Sequence, residues 1–201
     1  MAAGNGQVLH KPLGLLAELT HRCPLGCRYC SNPVKLERRS DELDTATWAR
    51  VFREAAALGV LQVHISGGEP GARRDLVAIV AAAHAGPLYT NLITSGVGLS
   101  KETLAALAEV GLDHVQISIQ DSQVASADTI AGYKGAYARK NALAAEAVRH
   151  GLSLTINMVV ATALTSTASR RWSSRPCGSP PAASKSRMCS ITAGRWRTAR
   201  S

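Results

Sequence analysis

A chain of 201 residues can hold one ordinary domain, and a 46% hydrophobic content excludes disorder throughout. The net charge of +9 is unevenly placed: residues 161–201 carry eight Lys and Arg and no Asp or Glu, so the body before them is nearly neutral and no nucleic-acid surface is expected. No run approaches the roughly 20 apolar residues that span a bilayer, and the opening MAAGNGQVLHKPLG lacks the regions of a signal peptide, so a cytoplasmic protein without a membrane role is expected.

In chain order, Gly14–Thr20 reads as a first strand, Asp44–Leu58 as a helix capped by Asp44, and Gln62–Ser66 as a second strand. The period then repeats with a helix over Asp75–His84, a strand over Leu88–Thr94, a helix over Lys101–Val110 after Ser100 as N-cap, and a strand over His114–Gln120. Ala136–His150 is the longest helix, closed by Gly151, and Ser153–Val160 is a fifth strand. Short apolar runs alternating with amphipathic segments predict an α/β domain over residues 1–160, with a parallel sheet as a barrel or an open doubly wound sheet, and functional residues at the C-terminal strand ends. Residues 161–201 have no sustained period, few large aliphatics and many Ser, Thr, Pro and Arg, which predicts a disordered basic tail.

Three of the five cysteines, Cys23, Cys27 and Cys30, follow the first strand in the spacing C-x3-C-x2-C, which suits a metal site in a reducing compartment better than a disulfide framework. Three thiolates on a cube of four irons leave one iron without a protein ligand, open to a small chelator. Gly26 permits the tight loop and Tyr29 can place a ring beside a cofactor. Two other readings stay open here: a structural zinc site with His21 or His10 as fourth ligand, and inert buried thiols. The second strand runs into Gly67, Gly68, Glu69 and Pro70, where paired glycines let the main chain approach a ligand, Glu69 offers an acceptor for an ammonium, and Pro70 stiffens the turn. Asn91, Thr94 and Ser95 around the third strand, Ser118, Gln120 and Asp121 around the fourth, and Asn157 in the fifth are further polar candidates. The turn Gly132–Gly135 fits no nucleotide motif and reads as a solvated loop.

The cysteine loop and the GGEP tetrapeptide one βα unit downstream together resemble the radical S-adenosylmethionine (SAM) superfamily. That resemblance implies a partial (β/α)6 barrel, incomplete here at about five βα units. It also implies a 4Fe–4S cluster on Cys23, Cys27 and Cys30, with SAM chelating the open iron and yielding a 5′-deoxyadenosyl radical on reduction. By the same likeness Gly67, Gly68, Glu69 and Pro70 contact the SAM amino group, and Tyr29, Ser118 and Asn157 face the cofactor. The segments LAELTHRCPLGCRYCSNP, LYTNLITSG, DHVQISIQDS and IAGYKGAYARK are similar to the pyrroloquinoline quinone (PQQ) synthesis protein E family. This implies a carbon–carbon cross-link between glutamate and tyrosine side chains of a ribosomal precursor peptide, presented by a small peptide-carrier protein, with an external electron donor. It also implies a following SPASM-type domain with auxiliary clusters, for which residues 161–201 offer no cysteine-rich counterpart. Codons compatible with Ala161–Ala168 and Ser184–Ala199, read two bases over, give segments that resemble the family's continuation. The tail is therefore expected to be an out-of-frame translation, with no role for Cys177 or Cys189, and the chain to be a truncated enzyme whose activity is in question.

Overall fold

The computed structural model describes residues 11–33, 36–159 and the backbone of 187–192. Its elements run β1 (Gly14–Glu18), α1 (Thr45–Leu58), β2 (Gln62–Ser66), α2 (Leu76–Ala85), β3 (Tyr89–Thr94), α3 (Lys101–Glu109), β4 (His114–Ser118), α4 (Val124–Ala131), α5 (Ala136–Arg149), β5 (Ser153–Val159) and β6 (Arg187–Thr192). The strands form one sheet in the order β1-β2-β3-β4-β5-β6, and every neighbouring pair is parallel. The strand order never reverses, and helices α1, α2, α3 and α5 pack on one face of the sheet. This is the barrel alternative; a doubly wound sheet would reverse direction at a switch point.

Alternation along the strands separates the two faces. Ala17, Val63, Ile65, Leu92, Val115 and Ile117 are buried and meet Phe52, Leu76, Ile79, Val80, Leu104, Leu107 and Leu143 from the helices. Each such aliphatic or aromatic side chain contributes about 1.5–3 kcal/mol on burial. The residues between them, His64, Ser66, Ile93, Gln116, Ser118 and Asn157, are only partly covered and face the opposite, lumenal side.

Local chemistry sets the boundaries. The Asp44 carboxylate accepts from the Thr47 amide at 2.8 Å and Ser100 Oγ accepts from that of Thr103 at 3.1 Å, so both expected N-caps form. Strand β1 ends two residues short of expectation, at Glu18. The Leu19 amide still bonds the Ser66 carbonyl at 2.9 Å, but Thr20 turns its hydroxyl onto Glu42. Helix α4 has no counterpart in the sequence reading. Its residues, VASADTIA, are mostly weak helix formers, and its start is fastened from outside by Asp121, which accepts from the Gln123 amide at 3.1 Å and Ser126 Oγ at 2.6 Å.

The backbone of β6 pairs with β5 from Leu154↔Arg187 to Val159↔Thr192. At these residues the expectation of a structureless tail is corrected: the outer edge of β5 carries a row of N–H and C=O groups, and β6 satisfies them. Residues 160–186 and 193–201, and so the rest of that expectation, lie outside the described residues. Among those described, no helix is long and apolar enough to cross a membrane.

Candidate cofactor site at the strand ends

The cysteine loop leaves β1 and is fastened on two sides by its backbone. The Gly68 amide donates to the Thr20 carbonyl at 2.6 Å and the Glu69 amide to the Arg22 carbonyl at 2.7 Å, which ties the loop to the turn after β2. The Gly26 amide donates to the Ala131 carbonyl at 3.0 Å and the Arg28 amide to that of Ile130 at 3.2 Å, which seats it on the C-terminus of α4. The two glycines of the turn are required sterically. A Cβ on Gly67, at φ 125°, would lie 2.4 Å from the Thr20 carbonyl oxygen, and one on Gly68 would lie 2.5 Å from those of His21 and Arg22.

Cys23 and Cys27 are half-buried, Cys30 is exposed, and all three are free thiols. Burial pushes the Cys23 and Cys27 thiols up, against a backbone hydrogen bond near Leu25 in the first case and the Lys140 charge in the second. Mutual repulsion among thiolates adds to the rise. Cys23 and Cys27 are therefore held as thiols until a cation takes them. Among the described residues no three His, Cys, Asp or Glu side chains converge as they would on one metal ion. A single zinc needs sulfurs at about 2.3 Å from one centre, whereas a cube presents a separate iron to each thiolate. Three free thiols on one loop, two half-buried and one exposed, are the donor type and number such a cube takes. His21 is engaged elsewhere, its Nδ1 accepting from the Glu37 amide at 3.1 Å, and His10 lies outside the described residues.

Glu69 differs most from its expected role. Its side chain is 0% exposed. One carboxylate oxygen accepts from the Gly71 amide at 2.9 Å and Thr94 Oγ1 at 2.7 Å, the other from the Ser95 amide at 2.7 Å and from Ser95 Oγ. Thr94 Oγ1 in turn accepts from the Gly96 amide at 2.9 Å, and Ser95 Oγ from that of Val97 at 3.3 Å. The expectation of an open acceptor for an ammonium is thus revised to a strut that binds the turn after β2 to the loop after β3. Pro70 begins a one-turn 3-10 helix there and is buried.

Lys140 on α5 was not anticipated. It is 1% exposed, and its Nζ donates to the Ser118 carbonyl at 2.9 Å and to Gln120 Oε1 at 2.6 Å. Burial brings it down to about 8, although the neighbouring Cys27, Glu69 and Cys23 oppose the change. Tyr29 is pushed up to about 12, chiefly by burial, with a Gln120 hydrogen bond acting the other way. Tyr29, Gln120 and Lys140 thus connect the cysteine loop to the end of β4. The sequence signal for Lys140 was its place on the inward stripe of a long helix, where a lysine is out of pattern.

The remaining candidates divide. Ser118 and Asn157 are register partners on the lumenal side and stay partly open. Thr94, Ser95, Gln120 and Asp121 are buried and committed to the internal hydrogen bonds described. Asn91 lies in the middle of β3, below the strand ends. The Gly132–Gly135 turn gives its Gly135 amide to Asp128 at 2.6 Å, in line with a structural loop. Arg73 brackets the opposite side: its guanidinium meets the Leu19 carbonyl at 3.0 Å, Asp75 at 2.7 Å and Glu42 at 3.7 Å.

Residues 17–165 match the model of the Radical SAM superfamily. The PqqA peptide cyclase of Methylocella silvestris is 64% identical over 149 residues, covering 74% of this chain and 40% of that protein. That of Ruegeria pomeroyi is 60% identical over 149 residues, with the same coverage of 74% and 40%. The chain therefore spans about 40% of the length of the curated relatives it matches. Among solved structures, Streptococcus suis SuiB bound to S-adenosylmethionine is 26% identical with a TM-score of 0.67, covering 74% of this chain and 34% of that one. SuiB bound to its precursor peptide SuiA aligns with a TM-score of 0.68 at 24% identity, covering 80% of this chain and 36% of that one.

Proposed function

Because the chain belongs to the radical SAM superfamily, we propose that it carries the cluster- and SAM-binding part of an enzyme of PQQ biosynthesis. That enzyme joins glutamate and tyrosine side chains of a ribosomal precursor peptide through a carbon–carbon bond. The observation that carries this reading is the fastened cysteine loop, its three thiols free, at the C-terminal end of β1 in a chain 64% identical to a PqqA peptide cyclase. When bound, a 4Fe–4S cluster and SAM supply an electron and the hydrogen-abstracting radical chemistry of the superfamily.

The chain's own residues have separable tasks in this proposal. Cys23, Cys27 and Cys30 hold the cluster, and the turn Gly67–Pro70, with Tyr29, Ser118 and Asn157, lines the SAM site. Glu69 acts there by holding two loops together. The Lys140 ammonium offsets thiolate charge from below. Partners are the precursor peptide, a small carrier protein and an electron donor, and the thiols suit a cytoplasmic setting. The out-of-frame reading of residues 161–201 belongs to the same proposal and rests on the alternative codon reading of its two blocks. An uninterrupted reading of the locus in the present frame, with no SPASM-like sequence downstream, overturns that part. Likeness to peptide-bound SuiB keeps a second reading, another SPASM-type peptide-modifying radical SAM enzyme.

Anaerobic reconstitution tests the reading. A brown protein with about four irons per chain, losing them in Cys23→Ala, Cys27→Ala or Cys30→Ala and changing its electron paramagnetic resonance spectrum on SAM addition, is the expected result. A colourless chain holding stoichiometric zinc, or a cluster whose spectrum ignores SAM, overturns it.

A further inference from the structure

The lumenal face of the sheet carries a polar row with no part in holding the cluster. In register across it lie Leu16, His64, Asn91, His114 and Ser153. Asn91 Nδ2 stands 2.9 Å from His64 Nδ1, and His114 Nε2 stands 2.8 Å from Thr155 Oγ1. The Tyr89 ring meets His114 edge-on at 6.3 Å between centroids. Asn91 is 4% exposed, and its amide oxygen has no hydrogen-bond partner among the described residues. The row is therefore not closed by its own groups, and a buried acceptor left unpaired costs about 1–3 kcal/mol.

Charge tells what the row can take. Strands β1 to β5 contain no Lys or Arg, so the two imidazoles are the cation-capable side chains on their lumenal face. Lys140 lies higher, at the end of β4, and is tied to Ser118 and Gln120. The acid on these strands is Glu18, exposed on β1 and in register with Ser66, two residues beyond His64. On β3 the titratable neighbour is Tyr89, and β5 presents Ser153, Thr155 and Asn157, which carry no charge. His64 and His114 are close enough that the positive charge of the first, after burial, holds the second below the ordinary histidine range. An amide flip, which exchanges Oδ1 and Nδ2, lets Asn91 donate to a neutral His64 ring or accept from a protonated one. A proton on His114 is thus disfavoured until an anion supplies counter-charge, and among the described residues of these strands none does so, Asp113 beside His114 being committed to the Thr90 amide and hydroxyl at 2.8 Å.

We infer that His64, Asn91 and His114 form the subsite in which the lumen holds an acidic side chain of a bound peptide, its carboxylate lying against the two imidazole rings. This deepens the peptide-modifying reading and rests on it. The carboxylate brings the counter-charge that the strands lack, and binding is coupled to proton uptake. Affinity therefore falls as pH rises through the imidazole titration.

The test uses the full chain after anaerobic reconstitution, with a blocked peptide containing a single glutamate and the same peptide with glutamine in its place. The histidines are followed by nitrogen-15 NMR, assigned with His64→Gln and His114→Gln. The glutamate peptide is expected to shift both ring resonances, to raise the midpoint of His114, and to bind about tenfold more tightly near pH 6 than near pH 8. It is also expected to bind about tenfold more tightly than the glutamine peptide. Equal affinity for the two peptides, unmoved ring resonances, or no binding of either to a chain whose cluster answers to SAM overturns the inference and leaves the cluster assignment standing. A cluster that ignores SAM fails the underlying reading instead. The comparison of peptides on the unmodified chain holds even where a substituted chain does not fold.

Discussion

Replacing Glu69 by alanine separates a structural strut from a ligand contact. In the native chain its carboxylate accepts from two backbone amides, Gly71 and Ser95, and from the hydroxyls of Thr94 and Ser95. The hydroxyls can rotate toward other acceptors, but the two amides are fixed. Each buried donor left unpaired costs about 1–3 kcal/mol, and the emptied volume adds to this, because the Glu69 Cγ fills the space beside Gly98. The expected loss is about 3–5 kcal/mol out of a typical domain stability of about 5–15. For a chain of this size that corresponds to a melting point lower by about 10–15 °C. Glu69→Gln keeps one acceptor while turning an NH2 group toward two donors, so an intermediate loss is expected. Thermal unfolding of the cofactor-free chain, followed by circular dichroism, reads this without any cluster or SAM present. A Glu69→Ala chain that melts within about 2 °C of the parent, yet binds SAM poorly after reconstitution, refutes the strut and restores a direct contact.

Two further outcomes follow from buried charge. The Lys140 ammonium is brought down to about 8 in the folded chain, so its protonation opposes folding at every pH below that value and the opposition fades as pH rises from about 8 toward 10.5. The difference in unfolding free energy between the parent and Lys140→Met is therefore expected to move in the parent's favour by about 2–3 kcal/mol across that window, measured by denaturant titration at a series of pH values. The Arg73 guanidinium, at 2.7 Å, holds the Asp75 carboxyl well below the usual carboxylate range, with help from Thr45 Oγ1. Its contribution is present above the unfolded carboxyl pKa and is lost as pH falls through the folded one, so the parent's advantage over Asp75→Asn is expected to shrink steadily during acid titration.

The repeating βα pattern was legible because alternation and caps are local: Asp44, Ser100 and the strand β2 stand where the residues alone put them. The cysteine loop was legible for the same reason, since spacing along seven bonds of loop is written in order. What could not be read was whatever depends on partners distant in sequence. Helix α4 has poor intrinsic preference and exists because Asp121 fastens its start and the cysteine loop covers its end. The role of Glu69 is decided by Thr94 and Ser95, a full βα unit downstream. Lys140 and the His64–His114 row emerge only when the sheet sets strands side by side. In each case the missing information was a tertiary neighbour.

The fastening of the cysteine loop has a consequence for the order of assembly. Four backbone hydrogen bonds, from Gly26, Arg28, Gly68 and Glu69, fix its course with protein atoms alone. On the proposed reading, a cluster would meet a loop whose backbone course is already set, with thiol rotamers and protons left to settle. Little chain entropy would be left to lose at that moment, so the proposed metal would enter late in maturation rather than serve as the scaffold around which the polypeptide folds.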